Sequence, residues 1–247
     1  PGARASEINA DQTDQLDAAR ANQDARAKNL PSSFDYIVCG SGAAGCVVAS
    51  RLAADSSATV LLIEAGGWDT AESVLDPGQW FGNLGTERDW GDVSVPGPGV
   101  NGRAIPEHMG RVVGGGTSIN ATIWARPFKA DLDHWADVTG DPAWGYEHGL
   151  EIYRQIEDWQ GAPDARYRGK GGPVWCHPAA DLSPLAPALL DAADGLGHPV
   201  LPDQNGAREE SAGGFALMNQ IIRSGRRHNM ARAFLYPVLT QDNITTL

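Results

Sequence analysis

The sequence predicts an α/β fold that is built on a parallel β-sheet. An apolar run over residues 34–39 ends in a glycine-rich turn at 40–45, and small, apolar residues over 46–53 suit a buried helix. A second buried strand is predicted over residues 59–64. Strand, turn, helix and strand within about 30 residues make a βαβ unit. Such a unit implies parallel strands whose two faces are both covered.

Composition and charge narrow the possible partners of this 247-residue chain. It carries 31 acidic and 19 basic side chains, for a formal net charge of −12. Nucleic acid is a disfavoured partner, because phosphate binding rests mainly on Lys and Arg. The longest apolar run, over residues 58–63, is far shorter than the ~20 residues of a membrane-spanning helix. We therefore expect a soluble protein without a membrane span, either cytoplasmic or exported after signal removal.

The glycine turn has the spacing of a dinucleotide-binding loop. Gly40 would permit the tight turn, Gly42 would let the backbone approach a pyrophosphate, and Gly45 would let the helix pack on the sheet. Glu64 ends the next strand, where a carboxylate accepts hydrogen bonds from the ribose of an adenine dinucleotide. A 2′-phosphate would be repelled there, which disfavours NADP. The alternative is an ordinary βα turn followed by an acidic residue that ends a strand.

A second glycine-rich run over residues 110–120 favours a flavin over a nicotinamide cofactor. It suggests that another stretch of backbone presses against an extended ligand. The hydroxyls of Thr117 and Ser118 and the amide of Asn120 could donate to pyrophosphate or to the edge of a flavin ring. A flexible glycine loop without a ligand is the alternative.

The remaining segments predict further helices and strands. The N-terminal extension, polar over residues 1–33, is expected to be partly helical between 5 and 30 and to lie on the surface. Beyond the βαβ unit, the predictions are a long loop over 66–106, a helical region over 132–159 that is broken near 140–142, a strand over 172–176, a helix over 185–196, a strand over 215–222, a helix over 230–239 and the start of a strand at 243–247. Aromatic residues of the long loop, Trp68, Trp80, Phe81 and Trp90, could shape a lid or pack in the core.

The chain resembles the glucose–methanol–choline (GMC) family of FAD-dependent oxidoreductases. Residues 110–133 are similar to the first sequence signature of that family, and the Glu64–Gly67 run and the first glycine turn agree with it. Weaker similarities lie at residues 225–227 and 231–237, before the next strand of the FAD domain. Asp203, Asn205, Gly206, Gly213 and Gly214 fit the substrate-domain stretch.

The resemblance implies a Rossmann-like FAD-binding domain with a parallel sheet, and the start of an interleaved α+β substrate-binding domain. The expected divisions are an extension at 1–33, the first part of the FAD domain at 34–170, the beginning of the substrate domain at 171–225 and a return to the FAD domain at 226–247. The cofactor-binding residues that it implies are Gly40, Ser41, Gly42, Ala43, Ala44, Gly45, Glu64, Ala65, Arg111, Val113, Gly115, Gly116, Thr117, Asn120, Ala121, Thr122, Ile123 and Trp124.

The implied activity is oxidation of an alcohol by hydride transfer to FAD, with O2 or another acceptor reoxidising the flavin. A lyase that splits cyanohydrins, a light-driven decarboxylase and a non-catalytic flavin-binding fragment are alternatives on the same scaffold. Family members are roughly twice as long, and their catalytic His lies near the carboxyl terminus. No catalytic residue is therefore assigned here, and we expect a complementary C-terminal half as a second chain. Without it, the strand at 243–247 would leave an unpaired edge.

Histidine and cysteine residues add no catalytic or metal site to these expectations. Some family members link the flavin through a His near the second glycine run, but the register of His108 differs from theirs by about one residue, which favours a plain loop histidine. Cys39 and Cys46 fall in a strand and a helix that are predicted to be buried. With Cys176 they form neither metal-ligand spacing nor a disulfide framework.

Overall fold

The structure, a computed structural model, describes residues 10–247. The first nine residues of the predicted extension lie outside the described residues, and burial is described from Gln15 onwards. Within residues 10–247 every helix is too short or too polar to span a bilayer.

The helices and strands are numbered in chain order. They are α1 (Ala10–Ala27), β1 (Tyr36–Cys39), α2 (Ala43–Ala53), β2 (Val60–Ile63), α3 (Glu72–Leu75), β3 (Asp92–Val93), β4 (Pro106–Glu107), β5 (Ile123–Trp124), α4 (Lys129–Thr139), α5 (Tyr146–Ile156), β6 (Glu157–Trp159), β7 (Val174–Pro178), α6 (Leu185–Gly195), β8 (Asn219–Gln220), β9 (Ile222–Arg223), β10 (Arg226–Arg227) and β11 (Ile244–Thr246). Short 3₁₀-helices cover Pro77–Asn83, Pro98–Val100, Gly115–Ser118, Pro142–Trp144, Ala207–Glu210 and Tyr236–Val238, and Ala231–Leu235 is a π-helical turn.

The chain divides into two compact units. The first combines the residues up to Thr122 with Arg223–Leu247, and the second is Ile123–Ile222. The division predicted near residue 170 differs from this, because β5 and β6 belong to the same sheet as β7 and β8. Residues 123–170 therefore pack with the second unit.

The sheet of the first unit is parallel and has the strand order β1-β2-β11. Tyr36 lies opposite Val60, and Ile244 pairs with Val60 from the other side. The middle strand is well buried, with Val60 and Leu62 fully enclosed. Strand, glycine turn, helix and strand occur in the predicted order, and the parallel sheet confirms the predicted α/β fold class.

Strand β1 is more exposed than its sequence predicts. Tyr36 is 46% and Ile37 60% exposed, and Cys39 is an exposed free thiol, whereas Cys46 is buried as expected. The reason is that β1 pairs with β2 alone among the described residues, so its outer edge has no neighbouring strand.

Helix α1 covers the outer edge of β11, which corrects one prediction. Gln23 is fully buried, and its side-chain oxygen accepts a hydrogen bond from the backbone N–H of Thr246 at 2.8 Å. Its amide nitrogen donates to the carbonyls of Leu239 at 2.7 Å and of Ile244 at 3.3 Å. The extension is therefore helical and largely exposed as predicted, and it packs on the first unit through the buried residues Ala19 and Gln23. The edge at 243–247 is not left unpaired.

The second unit contains the four-stranded sheet β5-β8-β7-β6, with α4 and α5 packed through Leu132, Tyr146 and Leu150. The predicted helical region over 132–159 breaks near Pro142 as expected. It ends early, because residues 157–159 pair with β7 as a strand. The helix predicted over 185–196 and the strand over 172–176 are present within two residues of their predicted limits.

Three segments differ from their predictions. The strand expected over 215–222 is reduced to the short strands β8 and β9. The helix expected over 230–239 is a π-helical turn followed by a 3₁₀ turn, because Pro237 cannot donate a backbone hydrogen bond to continue an α-helix. The long loop over 66–106 is not structureless, since α3, β3 and two 3₁₀-helices order it.

Candidate cofactor site

The first glycine turn ends β1 and starts α2 with free backbone donors. Gly40 adopts φ +89°, a left-handed conformation that favours glycine. A Cβ on Gly45 would lie 1.8 Å from the carbonyl oxygen of Gly40, so only glycine lets the helix close on the strand. Gly42 caps α2 without any side-chain hydrogen bond, and a Cβ there would meet nothing within 4 Å. The turn therefore presents a helix N-terminus to open space, which is an arrangement that binds phosphate.

The second glycine run lies directly against the first. The backbone N–H of Gly114 donates to the carbonyl of Ser41 at 2.8 Å. A Cβ added to Gly115 would lie 2.7 Å from the Cα of Gly42, and Gly115 itself has φ +54°. Two stretches that are distant in sequence thus meet backbone to backbone. The structure brings together the two turns that the sequence singled out.

The Glu64 carboxylate links the first glycine turn to the backbone that follows β2. Its Oε2 accepts hydrogen bonds from the Ser41 backbone N–H at 2.8 Å and from the Ser41 hydroxyl at 2.6 Å. Its Oε1 accepts from the backbone N–H of Gly66 at 2.9 Å. A carboxylate provides about four lone-pair sites, so the three bonds leave capacity to accept a further hydrogen bond from a ligand hydroxyl.

The hydroxyls of the second run fold the loop rather than face a ligand. Ser118 is buried and donates to the Val113 carbonyl at 2.6 Å. Thr117 donates to the Gly114 carbonyl at 2.6 Å. In the conformation described, both hydroxyls thus donate within the protein, and their donation to a cofactor stays a prediction. They hold the glycine backbone in its turn, which sequence alone cannot distinguish from ligand binding.

Asn120 orders the end of the second run. Its side-chain oxygen accepts from the backbone N–H of Thr122 at 3.0 Å and from Nη1 of Arg227 at 2.8 Å. Thr122 has φ +59°, which a threonine rarely adopts. Both of these bonds are accepted by the side-chain oxygen, so the amide nitrogen of Asn120 could donate to a ligand.

Arg227 is a buried anchor of this loop that sequence reasoning did not single out by itself. Its Nε donates to the Val74 carbonyl at 2.8 Å, and Nη1 also donates to the Thr117 carbonyl at 3.2 Å. Burial lowers the pKa of Arg227 to about 10, although the charge of Asp69 opposes the shift. The only sequence signal was the resemblance at residues 225–227.

A second buried hydrogen-bond network, centred on Asp69 and Asn229, contacts the second glycine run through Ser118. The Asn229 amide donates to Asp69 at 2.9 Å and to the Ser118 hydroxyl at 2.8 Å. Tyr236 donates to the other oxygen of Asp69, and burial raises the pKa of the Tyr236 hydroxyl. Asp69 lies in the loop over 66–106, where no sequence pattern marked it.

A cavity of about 260 Å³ opens beside Glu64. It is lined by Asp24, Ala27, Glu64, Gly66, Gly67, Trp68, Val113, Thr246 and Leu247. All of these residues belong to the first unit. The cavity thus lies at the carboxyl end of β2, where parallel α/β sheets bind their ligands.

The expected site residues do not all fall in this unit. Ile123 and Trp124 begin the second unit. The first unit holds all the others, which are the residues of both turns, Glu64, Ala65, Arg111 and the stretch from Asn120 to Thr122. Trp124 donates its indole N–H to Glu157 at 3.0 Å and packs edge-to-face on Tyr153.

His108 and the loop aromatics have structural contacts. His108 Nδ1 lies 2.6 Å from Oδ2 of Asp89. Trp68 donates to Asp24 at 3.0 Å and packs near Tyr236, whereas Phe81 and Trp90 are largely exposed. Across residues 10–247, no three His, Cys, Asp or Glu side chains cluster in a way that could hold a metal ion.

This combination of a parallel sheet, a glycine turn at a helix N-terminus and a carboxylate at the next strand defines a dinucleotide-binding α/β protein. The family profile described as GMC oxidoreductase matches residues 34–247. The chain therefore belongs to the GMC oxidoreductase family, which confirms the resemblance.

Known relatives and solved structures agree with this assignment. The chain is 35% identical over 211 residues to an oxygen-dependent choline dehydrogenase of Rhizobium etli and 34% identical to that of Brucella ovis. Each match covers 85% of this chain and 38% of the relative. The crystal structure of pyridoxine 4-oxidase from Mesorbium loti has a TM-score of 0.80 at 35% identity, over 87% of this chain and 42% of that one. An FAD-dependent oxidoreductase from Chaetomium thermophilum has a TM-score of 0.76 at 29% identity, over 87% and 38%.

Proposed function

We propose that the first unit binds FAD and serves an enzyme that oxidises a CH–OH donor. One observation carries the cofactor assignment: two glycine turns meet at the N-terminus of α2, beside a carboxylate and a cavity. The space on the side of Gly42 where a Cβ would project is open, and it would accommodate a pyrophosphate. FAD-dependent chemistry is named for the Chaetomium thermophilum relative.

The residues that would hold FAD follow the line of the two turns. The backbone N–H groups at Gly42–Gly45 would bind the pyrophosphate at the start of α2. Glu64 would accept from the ribose hydroxyls, and its charge would repel a 2′-phosphate. The stretch from Asn120 to Thr122 would lie beside the flavin end of the cofactor, and the amide nitrogen of Asn120 would donate a hydrogen bond there. Gly115 and Gly116, with Arg111 and Val113, would form the opposite wall.

Bound FAD would supply the hydride acceptor for the oxidation of an alcohol to an aldehyde or ketone, with O2 or another acceptor closing the cycle. Choline and pyridoxine, named for two relatives, are both alcohols, which supports an alcohol as the donor class. The chain spans 38% of the length of the choline dehydrogenases it matches. We place the general base outside residues 10–247.

The open edge of β1 could pair with a strand from the C-terminal half of such an enzyme. Its outward backbone groups lack a paired strand among the described residues, and Tyr36 and Ile37 are exposed beside it. Unpaired strand edges readily accept another strand. We propose that a complementary segment, carried by a second polypeptide, pairs there and supplies the base.

The decisive experiment mixes the complete flavin-loaded enzyme with a panel of primary alcohols under anaerobic conditions. Bleaching of the visible flavin absorbance, with one equivalent of aldehyde formed, is the expected result. An unchanged flavin spectrum with substrate turnover would instead indicate a lyase and would overturn the oxidoreductase proposal.

A further inference from the structure

We infer that helix α1 forms one wall of the pocket that takes the adenosine end of FAD. This inference rests on the proposed function and extends it to a segment outside the family match, which begins at residue 34. The ligand is the adenine nucleoside part of the dinucleotide, and the residues in question are Asp24 and Ala27.

The docking of α1 is specific rather than a loose surface contact. Residues 244 and 246 turn their outer backbone groups away from β2, because Val60 and Leu247 make the ladder bonds with residues 243 and 62. The Gln23 amide bonds both outer groups, accepting from Thr246 and donating to Ile244. One buried side chain thus makes the pair of bonds that a further strand would make.

Two arginines fix the rotation of the helix around this anchor. Arg26 donates to the Gln241 carbonyl at 2.6 Å and to the Ile244 carbonyl at 3.0 Å. Arg20 donates to the Tyr236 hydroxyl at 3.1 Å and lies over the same ring. With Gln23, these contacts occupy successive turns of α1 and determine which face the helix presents to the sheet.

That face places Asp24 and Ala27 at the cavity beside Glu64. Both residues line the cavity, together with Trp68 and the end of β11. The Trp68 indole N–H holds one oxygen of Asp24 at 3.0 Å. The pocket therefore combines an aromatic ring and small apolar groups with two carboxylates, Asp24 and Glu64. Such a lining suits a neutral purine nucleoside, whose hydroxyl and amino groups donate, and opposes a ribose that carries a 2′-phosphate.

The test separates the two ends of the cofactor by using ADP and FMN as probes. The protein, its Ala27→Phe variant and a matched Ala21→Phe control are titrated with ADP, FMN and FAD by calorimetry. The larger side chain at position 27 would fill the cavity, whereas position 21 is exposed on the same helix. We expect Ala27→Phe to weaken ADP and FAD binding by about tenfold or more, and to leave FMN binding within about twofold.

A Gln23→Ala variant keeps the test decisive if Ala27→Phe fails to fold. Loss of the anchor should also weaken ADP binding selectively, while circular dichroism reports whether the chain remains folded. Equal ADP affinity in Ala27→Phe, Gln23→Ala and the parent protein would overturn the inference but leave the proposed function intact. If the parent protein binds neither ADP nor FAD, the proposed function itself fails.

Discussion

The backbone N–H of Gly114 donates to the carbonyl of Ser41 at 2.8 Å and joins two glycine turns from distant parts of the sequence. Because Gly115 also touches Gly42, the approach is closer than any side chain would allow. Gly115 is thus required by contact with the first run. The pair forms one continuous backbone surface at the N-terminus of α2.

Gly115→Ala should separate the two turns. The added methyl would lie 2.7 Å from the Gly42 Cα, and the φ of +54° is unfavourable for alanine. We expect FAD affinity to fall by about tenfold or more and thermal stability to fall with it. Gly82→Ala is the control, since its Cβ would meet nothing within 4 Å. Equal FAD affinity in Gly115→Ala and the parent protein would contradict the role given to this contact.

Arg227→Met should destabilise the first unit. The change leaves the oxygens of Val74, Thr117 and Asn120 without the buried donor that they share. We expect a loss of about 2–4 kcal/mol in the free energy of unfolding, because unsatisfied buried acceptors are costly. Urea denaturation measures this loss.

The neighbouring arginine is the matched control for that variant. Arg226 forms a partly exposed ion pair with Glu72, so Arg226→Ala should cost less than about 1 kcal/mol. Similar losses for both variants would show that Arg227 has no special anchoring role.

Asp89 should make the loop over 66–106 sensitive to acid. Burial opposes its charge, but hydrogen bonds from the N–H groups of Gly85, Gly91 and Met109 and from His108 hold the pKa of Asp89 at about 2. A depressed pKa gives stability that is present above the ordinary value and lost as the pH falls towards 2. We expect the melting temperature of Asp89→Asn to be lower than that of the parent protein at pH 6. The difference should shrink between about pH 4 and pH 2, and a constant difference would contradict this account.

Glu157 is expected to hold the second unit together. Its carboxylate pairs with Arg168 at 2.8 Å and Arg126 at 2.9 Å, and all three side chains are almost completely buried. Glu157→Gln removes the negative charge between two buried guanidinium groups and should cost about 3 kcal/mol or more. Glu151→Gln, on an exposed position of α5, should be nearly neutral in the same denaturation assay. A neutral Glu157→Gln would contradict this role of the buried carboxylate.

The sequence was informative where structure depends on local geometry. The glycine turn, the helix after it and Glu64 were all predictable, because a tight βα turn and a strand-ending carboxylate lie within one βαβ unit. The contact between Gly114 and Ser41 was not predicted, because the second glycine run was expected to approach a ligand. The contact depends on tertiary packing, which the spacing of glycines does not reveal.

Other features depend on partners far away in sequence. Asp69 lies in an aperiodic loop, and its role arises only from contact with Asn229 and Tyr236. The polar pattern of α1 did not reveal its packing on β11, because the buried residues are a small Ala19 and a polar Gln23, which leave no apolar periodic signal. The exposure of β1 was also not predicted, because its apolar run is typical of a central, buried strand.

The central claim is that the two glycine turns and Glu64 form an FAD site. Titration of the purified protein with FAD, followed by flavin fluorescence, tests it most directly when the Glu64→Gln variant is measured alongside. The account predicts saturable binding of one FAD per chain and affinity that is weaker by about tenfold or more in the variant. Absence of saturable binding to the parent protein, or equal affinity in the two proteins, would contradict it.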